Sequence, residues 1–357
     1  MNLLDRYILK RFLGAFVFVV LMLVAVITII DMTEKIEKFN RNNLGASDVF
    51  GYYLDFIPFI GNLITPITTF IAVVFVTAKM AGHTEIIAIL SSGVSFRRMM
   101  RPYLVGAIII ASVSFVLTGW IIPNSNKKRL AFEIRYFEKK YYYDERNIHM
   151  QVGPDTYLYM QSYNNQSNIG YRFTLERLEN KELREKLSAR RIEWDDENEI
   201  WKLKNWQRRE LDSLRENITT GVEMDTSLLI HPSEFSSDYR EYDGMTINEL
   251  NAEIDKLKAR GADNLEVYEV EKYIRFTSPF TVIILVFMGV IVSSRKTRGG
   301  VGFQIALGFF LAFLFILFFI LSKSMAEAGT IDPAFTVWLP NIVFGSITIF
   351  MYKFVPR

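Results

Sequence analysis

Cysteine is absent from all 357 residues. That excludes a disulfide, a thiolate metal site and a thiol nucleophile, and it is compatible with any compartment. Histidine is almost as scarce. His83, His149 and His231 lie far apart, so a histidine-based metal cluster is not expected. No G-x-x-x-x-G-K-[ST] phosphate loop occurs, so the chain is not expected to hydrolyse ATP by itself. The Gly-rich stretch Gly299-Gly300-Val301-Gly302 follows no strand and reads as a tight turn rather than a nucleotide site. A net charge of only +2 argues against a nucleic-acid partner. Charge is also missing from the interiors of the long apolar runs. Ion-coupled carriers place a carboxylate or base near the bilayer midplane, so this absence counts against a proton- or sodium-driven carrier. It counts equally against an intramembrane protease or transferase. Asp195-Asp196-Glu197 falls in a hairpin turn and reads as solvated. No catalytic residue, cofactor or metal is therefore expected.

What the chain has is apolar sequence, 50% hydrophobic, gathered at its two ends around a charged central block. Phe12–Ile30 runs about 19 residues without a charge, enough to span the hydrocarbon core. It is too long for a cleaved signal peptide, and the charged stretch Asp31–Lys38 follows it instead of a small-residue cleavage site. Five more spans read as Phe56–Ala78, Tyr103–Ile122, Phe276–Val292, Phe303–Leu321 and Phe335–Phe354. Pro58, Gly61 and Pro66 predict a bend in the second. Bases cluster in alternate short loops: Arg6, Lys10 and Arg11; Lys79, Arg97, Arg98 and Arg101; Arg295, Lys296 and Arg298; Lys353 and Arg357. The positive-inside rule puts these segments, and both termini, in the cytoplasm.

The outer block, Pro123–Arg275, has the size of a domain. A polar helical lead, Asn126–Lys140, precedes six strand-like runs: Ile148–Val152, Thr156–Gln161, Arg172–Leu178, Leu187–Trp194, Ile200–Gln207 and Gly221–Leu228. Gly153-Pro154, Asn164–Asn168 and Asp195–Asn198 supply turns. Successive short strands without intervening helices predict an antiparallel sandwich or jelly roll. Trp194, Trp201 and Trp206 suit its core better than a ligand site. A return helix, Thr246–Arg260, opens on a capping-box pattern, Thr246 with Glu249, and Gly261 ends it. The organisation expected is thus residues 1–122 with three spans, 123–267 with the β-domain and flanking helices, and 268–357 with three more.

Between spans two and three lies Gly82–Pro102, too short and too polar at its ends to cross a bilayer. Ile86, Ile89 and Leu90 recur at helical spacing, Thr84 is placed to cap, and Glu85 sits in the first turn. Gly93 can end the helix, and Arg97, Arg98 and Arg101 follow. A short amphipathic helix over 84–93 on the basic side is where a soluble partner could push a membrane protein. At the far end of span one, Lys35, Lys38 and Arg41 share a stripe at i, i+3 spacing. They read either as a solvated helix end paired with Glu34 and Glu37, or as a cationic rim for lipid phosphates.

Three spans, an extracytoplasmic β-domain, a return helix and three more spans resemble, over essentially the whole chain, the LptF/LptG (YjgP/YjgQ) permeases. Thr84-Glu85-Ile86 and Ser91-Ser92-Gly93 look like that family's small–Glu–aliphatic start and small–small–Gly end. Leu4-Asp5-Arg6-Tyr7-Ile8 and Tyr268–Pro279 also look familial. The resemblance implies an inner-membrane subunit of an ABC exporter of lipopolysaccharide, paired with a second related permease and driven by a cytoplasmic ATPase dimer. It implies that Glu85, with Ile86, Ile89, Leu90, Gly93 and Arg97 around it, docks on the ATPase. It implies that spans one and five line the lipid path, that Lys35 and Lys38, with Arg41 beside them, meet lipid phosphates, and that the β-domain passes lipid to a periplasmic jelly-roll protein. Three rivals are a mechanotransmitting ABC subunit that moves no lipid, a membrane-anchored β-domain scaffold, and a membrane enzyme. The missing cysteine and scarce histidine disfavour the last.

Overall fold

The computed structural model describes residues 3–137, 146–153, 155–179, 182–212, 215–228, 230–235, 241–260, 265–294, 300–353 and 355. The expected turn at Pro154, the helix stop at Gly261, the bases Arg295, Lys296, Arg298 and Arg357, and Gly299 lie outside them. Two compact units result. One comprises Met1–Phe137, Asp243–Asn248 and Glu266–Arg357; the other comprises Glu138–Tyr242 and Glu249–Leu265.

The first unit is helical. α1 covers Leu3–Arg41, α2 Ala46–Leu63, α3 Thr65–Gly82, α4 Glu85–Ser91 and α5 Phe96–Val116. A π-helical turn, Leu117–Ile121, joins α5 without a break to α6, Ile122–Tyr136. Later come α8 (Leu265–Ser293), α9 (Gly300–Glu327) and α10 (Pro333–Tyr352), while α7 (Ile247–Arg260) belongs from Glu249 onward to the second unit. Among the described residues, six helices are long and apolar enough to cross a membrane: α1, α3, the α5–α6 rod, α8, α9 and α10. At 1.5 Å per residue the 39 residues of α1 reach about 58 Å, so both its charged ends clear a hydrocarbon core of about 30 Å.

The expected second span, Phe56–Ala78, is corrected: it is not one bent helix but parts of two, with the break at Ile64. Pro66 has no N–H to give the Asn62 carbonyl, so the ladder stops there. Asn62 holds the broken end to α5: its amide donates to Thr118 Oγ1 (2.8 Å), and its Oδ1 accepts from Ser114 Oγ (2.6 Å). α3 alone is the second crossing. It packs where α8 and α9 present glycine: a Cβ on Gly289 would stand 2.4 Å from Val73, and one on Gly308 would stand 3.0 Å from Val74. Such close approach of backbones replaces hydrophobic driving force between helices in lipid.

The second unit carries the expected β-domain. β1 (Arg146–Gly153), β2 (Thr156–Asn164), β3 (Ile169–Glu179), β4 (Glu182–Asp195), β5 (Ile200–Asp212) and β6 (Arg215–Thr226) form one antiparallel sheet in chain order. The sheet curls over its apolar face. Tyr163 on β2 and Trp201 on β5 stand three strand spacings apart, about 14 Å in a flat sheet, yet their rings are 6.4 Å apart. The chain after β6 returns over this face: Ile230 O accepts from the Trp201 indole N–H (2.8 Å), and Phe235 meets Tyr163 at 4.2 Å. Trp201 is buried core, as its pattern suggested.

A transverse crease crosses the sheet. The pairing register steps over Gln161 opposite Arg172, Arg172 opposite Arg190, Arg190 opposite Asn205, and Asn205 opposite Val222. Arg172 and Asn205 both have φ of 52°. Inward-facing positions change parity across it: Leu187 and Ala189 give way to Ile192 on β4, and Trp201 and Leu203 to Trp206 on β5.

In the Asp195-Asp196-Glu197 turn Asp196 and Glu197 are exposed, and the partly buried Asp195 organises it. Its carboxylate accepts from Lys202 Nζ (2.5 Å), the Asn198 amide (2.9 Å) and the Glu197 backbone N–H (3.0 Å). Lys202 first, then Asn198, hold its pKa well below the usual carboxylate value. The folded pKa is therefore lower than the unfolded value of about 3.9. The turn's contribution is full above that value and is lost as pH falls through the folded one. NMR titration of the Asp195 side chain should show a midpoint well below the usual carboxylate value, returning toward it in Lys202→Met.

Candidate functional site

α4 is seven residues long, too short to persist alone. It is held at three points. Ile86 is buried in the helical core, with Ile89 and Leu90 packed against it. Gly93, with φ of 88°, takes the left-handed position that ends the helix, and its N–H reaches the Leu90 carbonyl (3.0 Å). Glu85 is held from α1: Tyr7 donates its hydroxyl at 2.9 Å, and Arg11 Nη1 lies 3.1 Å from Oε1 and 3.2 Å from Oε2. Thr84 occupies the cap position, but in the left-handed region (φ 60°), and its hydroxyl turns back to the His83 carbonyl. It does not cap the helix through its side chain.

The apolar stripe read from the sequence thus faces the protein. The face turned outward is Ile87, Ala88 and Ser91, with Ile87 half exposed, and Arg97 is exposed beyond it. Periodicity missed Ile87 because it counted the inward stripe. An isoleucine directly beside that stripe was the available signal.

At the opposite end of α1, Lys35 lies inside a polar network. Its Nζ is 2.7 Å from Asp31 and 3.6 Å from Glu133, and it donates to the Tyr52 hydroxyl (2.5 Å). Tyr52 donates to Glu133 (2.7 Å), Tyr53 to Asp31 (3.1 Å), and Arg129 to Glu133 (3.1 Å). Phe39, Tyr52, Tyr53 and Phe56 form the buried aromatic setting. Lys38 and Arg41 are exposed, with Lys38 over the Phe137 ring at 5.5 Å. The three bases of the stripe therefore do not act alike: Lys35 is neutralised by carboxylates, and the other two face outward.

Between these ends α1, α3 and α9 enclose a cleft of about 310 Å³. Ala15, Phe18 and Val19 line it from α1, Phe70 and Val74 from α3, and Gly308 and Phe309 from α9. Spans one and five thus share one apolar wall, chemically suited to acyl chains.

The model of the lipopolysaccharide export system permease LptF/LptG matches residues 6–353. The chain belongs to this family. It is a multi-pass inner-membrane protein and a permease subunit of lipopolysaccharide export, not an enzyme, and LptF/LptG permeases work in a complex with other Lpt proteins. A comparison with curated proteins finds no match.

Proposed function

We propose that this LptF/LptG permease is the membrane half of an ABC exporter that extracts lipopolysaccharide and passes it to a periplasmic jelly-roll protein. A cytoplasmic ATPase dimer docks on α4, and a second LptF/LptG-type permease completes the lipid cavity. Both termini lie in the cytoplasm and the β-domain in the periplasm. The observation that carries the reading is α4 itself: a short helix pinned to the core by Ile86 and Gly93, with Ile87 and Ala88 turned out between two membrane crossings. The apolar cleft beside α1 and α9 supports the cargo. Lys38 and Arg41, exposed at the far end of α1, suit lipid phosphates, and Lys35 joins them when its carboxylates release it.

ATP-driven closure of the ATPase moves α4, narrows the cavity and expels the lipid. A pull-down from membranes tests this. An ABC ATPase and a second permease should copurify with the wild type, and the ATPase should be lost from Glu85→Ala, which removes the carboxylate in the first turn of the docking helix. If no ATPase accompanies the wild type in intact complexes, the exporter reading fails and a membrane-anchored β-domain scaffold replaces it.

A further inference from the structure

The segment that begins at α4 grips α1 twice, with opposite charge patterns. At its start, Glu85 holds Tyr7 and Arg11, and Arg11 also lies over the Tyr7 ring at 4.3 Å. Just past its end, Arg98 in the first turn of α5 makes a bidentate pair with Asp5, at 2.6 and 2.8 Å. Asp5 is 5% exposed and the Arg98 side chain 29%, so the pair is sheltered from solvent screening on its acidic side only. A planar fork on a carboxylate fixes orientation as well as distance.

Asp5 and Arg11 are six residues apart, about 9 Å along the helix axis. One contact would let a helix pivot. Two contacts, with an acid and a base exchanged, fix its axial position and its rotation together. Apolar packing resists sliding through shape, and the two ion pairs add directional contacts to it. Arg11, Ala15, Phe18 and Val19 fall at i, i+4, i+7 and i+8, which is one face of α1. That face lines the apolar cleft.

We propose that residues 85–98 drive α1 directly through this double clamp, Glu85 with Tyr7 and Arg11, and Arg98 with Asp5. Asp5 and Arg11 are then positioning residues of the transport cycle: they carry motion of α4 to the cleft wall without touching lipid or ATPase. The inference rests on α4 being the docking helix. It adds a route through α1 to the neighbours that the chain connects to α4 covalently.

The chain's lack of cysteine makes a spectroscopic test clean. Ile36→Cys, near the far end of α1, and Thr330→Cys, just past α9, are both exposed and would carry spin labels. The full chain would be co-expressed with the second permease and the ATPase and placed in lipid nanodiscs. Adding ATP should shift the inter-label distance in the otherwise wild-type chain. In Asp5→Asn/Arg11→Gln the ATPase should still copurify and hydrolyse ATP, while the shift is lost. The exchange Asp5→Arg/Arg98→Asp should restore it in a chain with native Arg11, which a packing role would not predict. Arg11→Gln alone, at a largely exposed site, serves if Asp5→Asn fails to accumulate. A shift that persists in a folded clamp variant overturns the proposal and leaves the docking reading intact. Loss of the ATPase from the clamp variant also overturns it, by placing these residues in the docking surface. A wild type that brings down no ATPase ends both readings.

Discussion

Replacing Glu133 with alanine is expected to cost the helical unit about 3–5 kcal/mol, the range for removing one partner of a buried ion pair. Glu133 Oε1 is shared by Arg129 and the Tyr52 hydroxyl, with Lys35 at 3.6 Å. Arg129 is 4% exposed; its Nε reaches Asn126 at 3.2 Å, and its guanidinium lies over Phe59 at 4.5 Å. Neither neighbour carries negative charge, so without Glu133 the guanidinium stays buried and uncompensated. Thermal unfolding in detergent checks this. Glu133→Gln should recover part of the loss, because it keeps an acceptor for Tyr52 but not the charge. A Glu133→Ala protein that melts with the wild type would mean that the network is hydrated and screened.

Gly289→Leu is the second large change, expected to cost about 1–3 kcal/mol by overpacking. Its Cβ would meet Val73 at 2.4 Å, with Val74 and Phe70 behind it at 3.3 and 3.4 Å. Helix α3 would have to move away from α8, and α3 also forms part of the cleft. Lower membrane abundance and a lower melting temperature are the readouts. Gly14→Leu is the control, since nothing lies within 4 Å of a Cβ there. An equal loss at the two glycines would mean that it does not come from packing at Gly289, since helix propensity favours leucine at both.

The membrane crossings were legible because a run of apolar residues long enough to span lipid has few other uses. The second crossing was misread at one residue, Ile64, where Pro66 breaks the ladder without interrupting the hydrophobicity. All six strands were found, but several were read short. Arg172–Leu178 began, and Ile200–Gln207 nearly ended, where the crease changes which positions face inward, and a period of two cannot be followed through such a change. The candidate sites were half visible. α4 declared itself through spacing and Gly93, but the partners of Glu85 come from 74 and 78 residues away. Lys35 looked like one of three equivalent bases. Its neutralisation depends partly on Glu133, which only the packing of α6 against α2 brings near. Local patterns carry element type and face; long-range pairing of charge leaves no mark on them.

Helices α5 and α6 with the π turn between them make one uninterrupted rod of 41 residues, Phe96–Tyr136. At 1.5 Å per residue it is about 60 Å long, so it acts as a lever. Arg98 sits at the handle, and Arg129 and Glu133 sit at the tip. A tilt of about 5° carries the tip sideways by about 5 Å, close to the pitch of a helical turn. That travel is more than the 2.7 Å bond between Tyr52 and Glu133 or the 3.6 Å gap between Lys35 and Glu133 can absorb. A small swing at the basic end is therefore enough to take Glu133 away from Lys35 and leave that cation with Asp31 of its own helix.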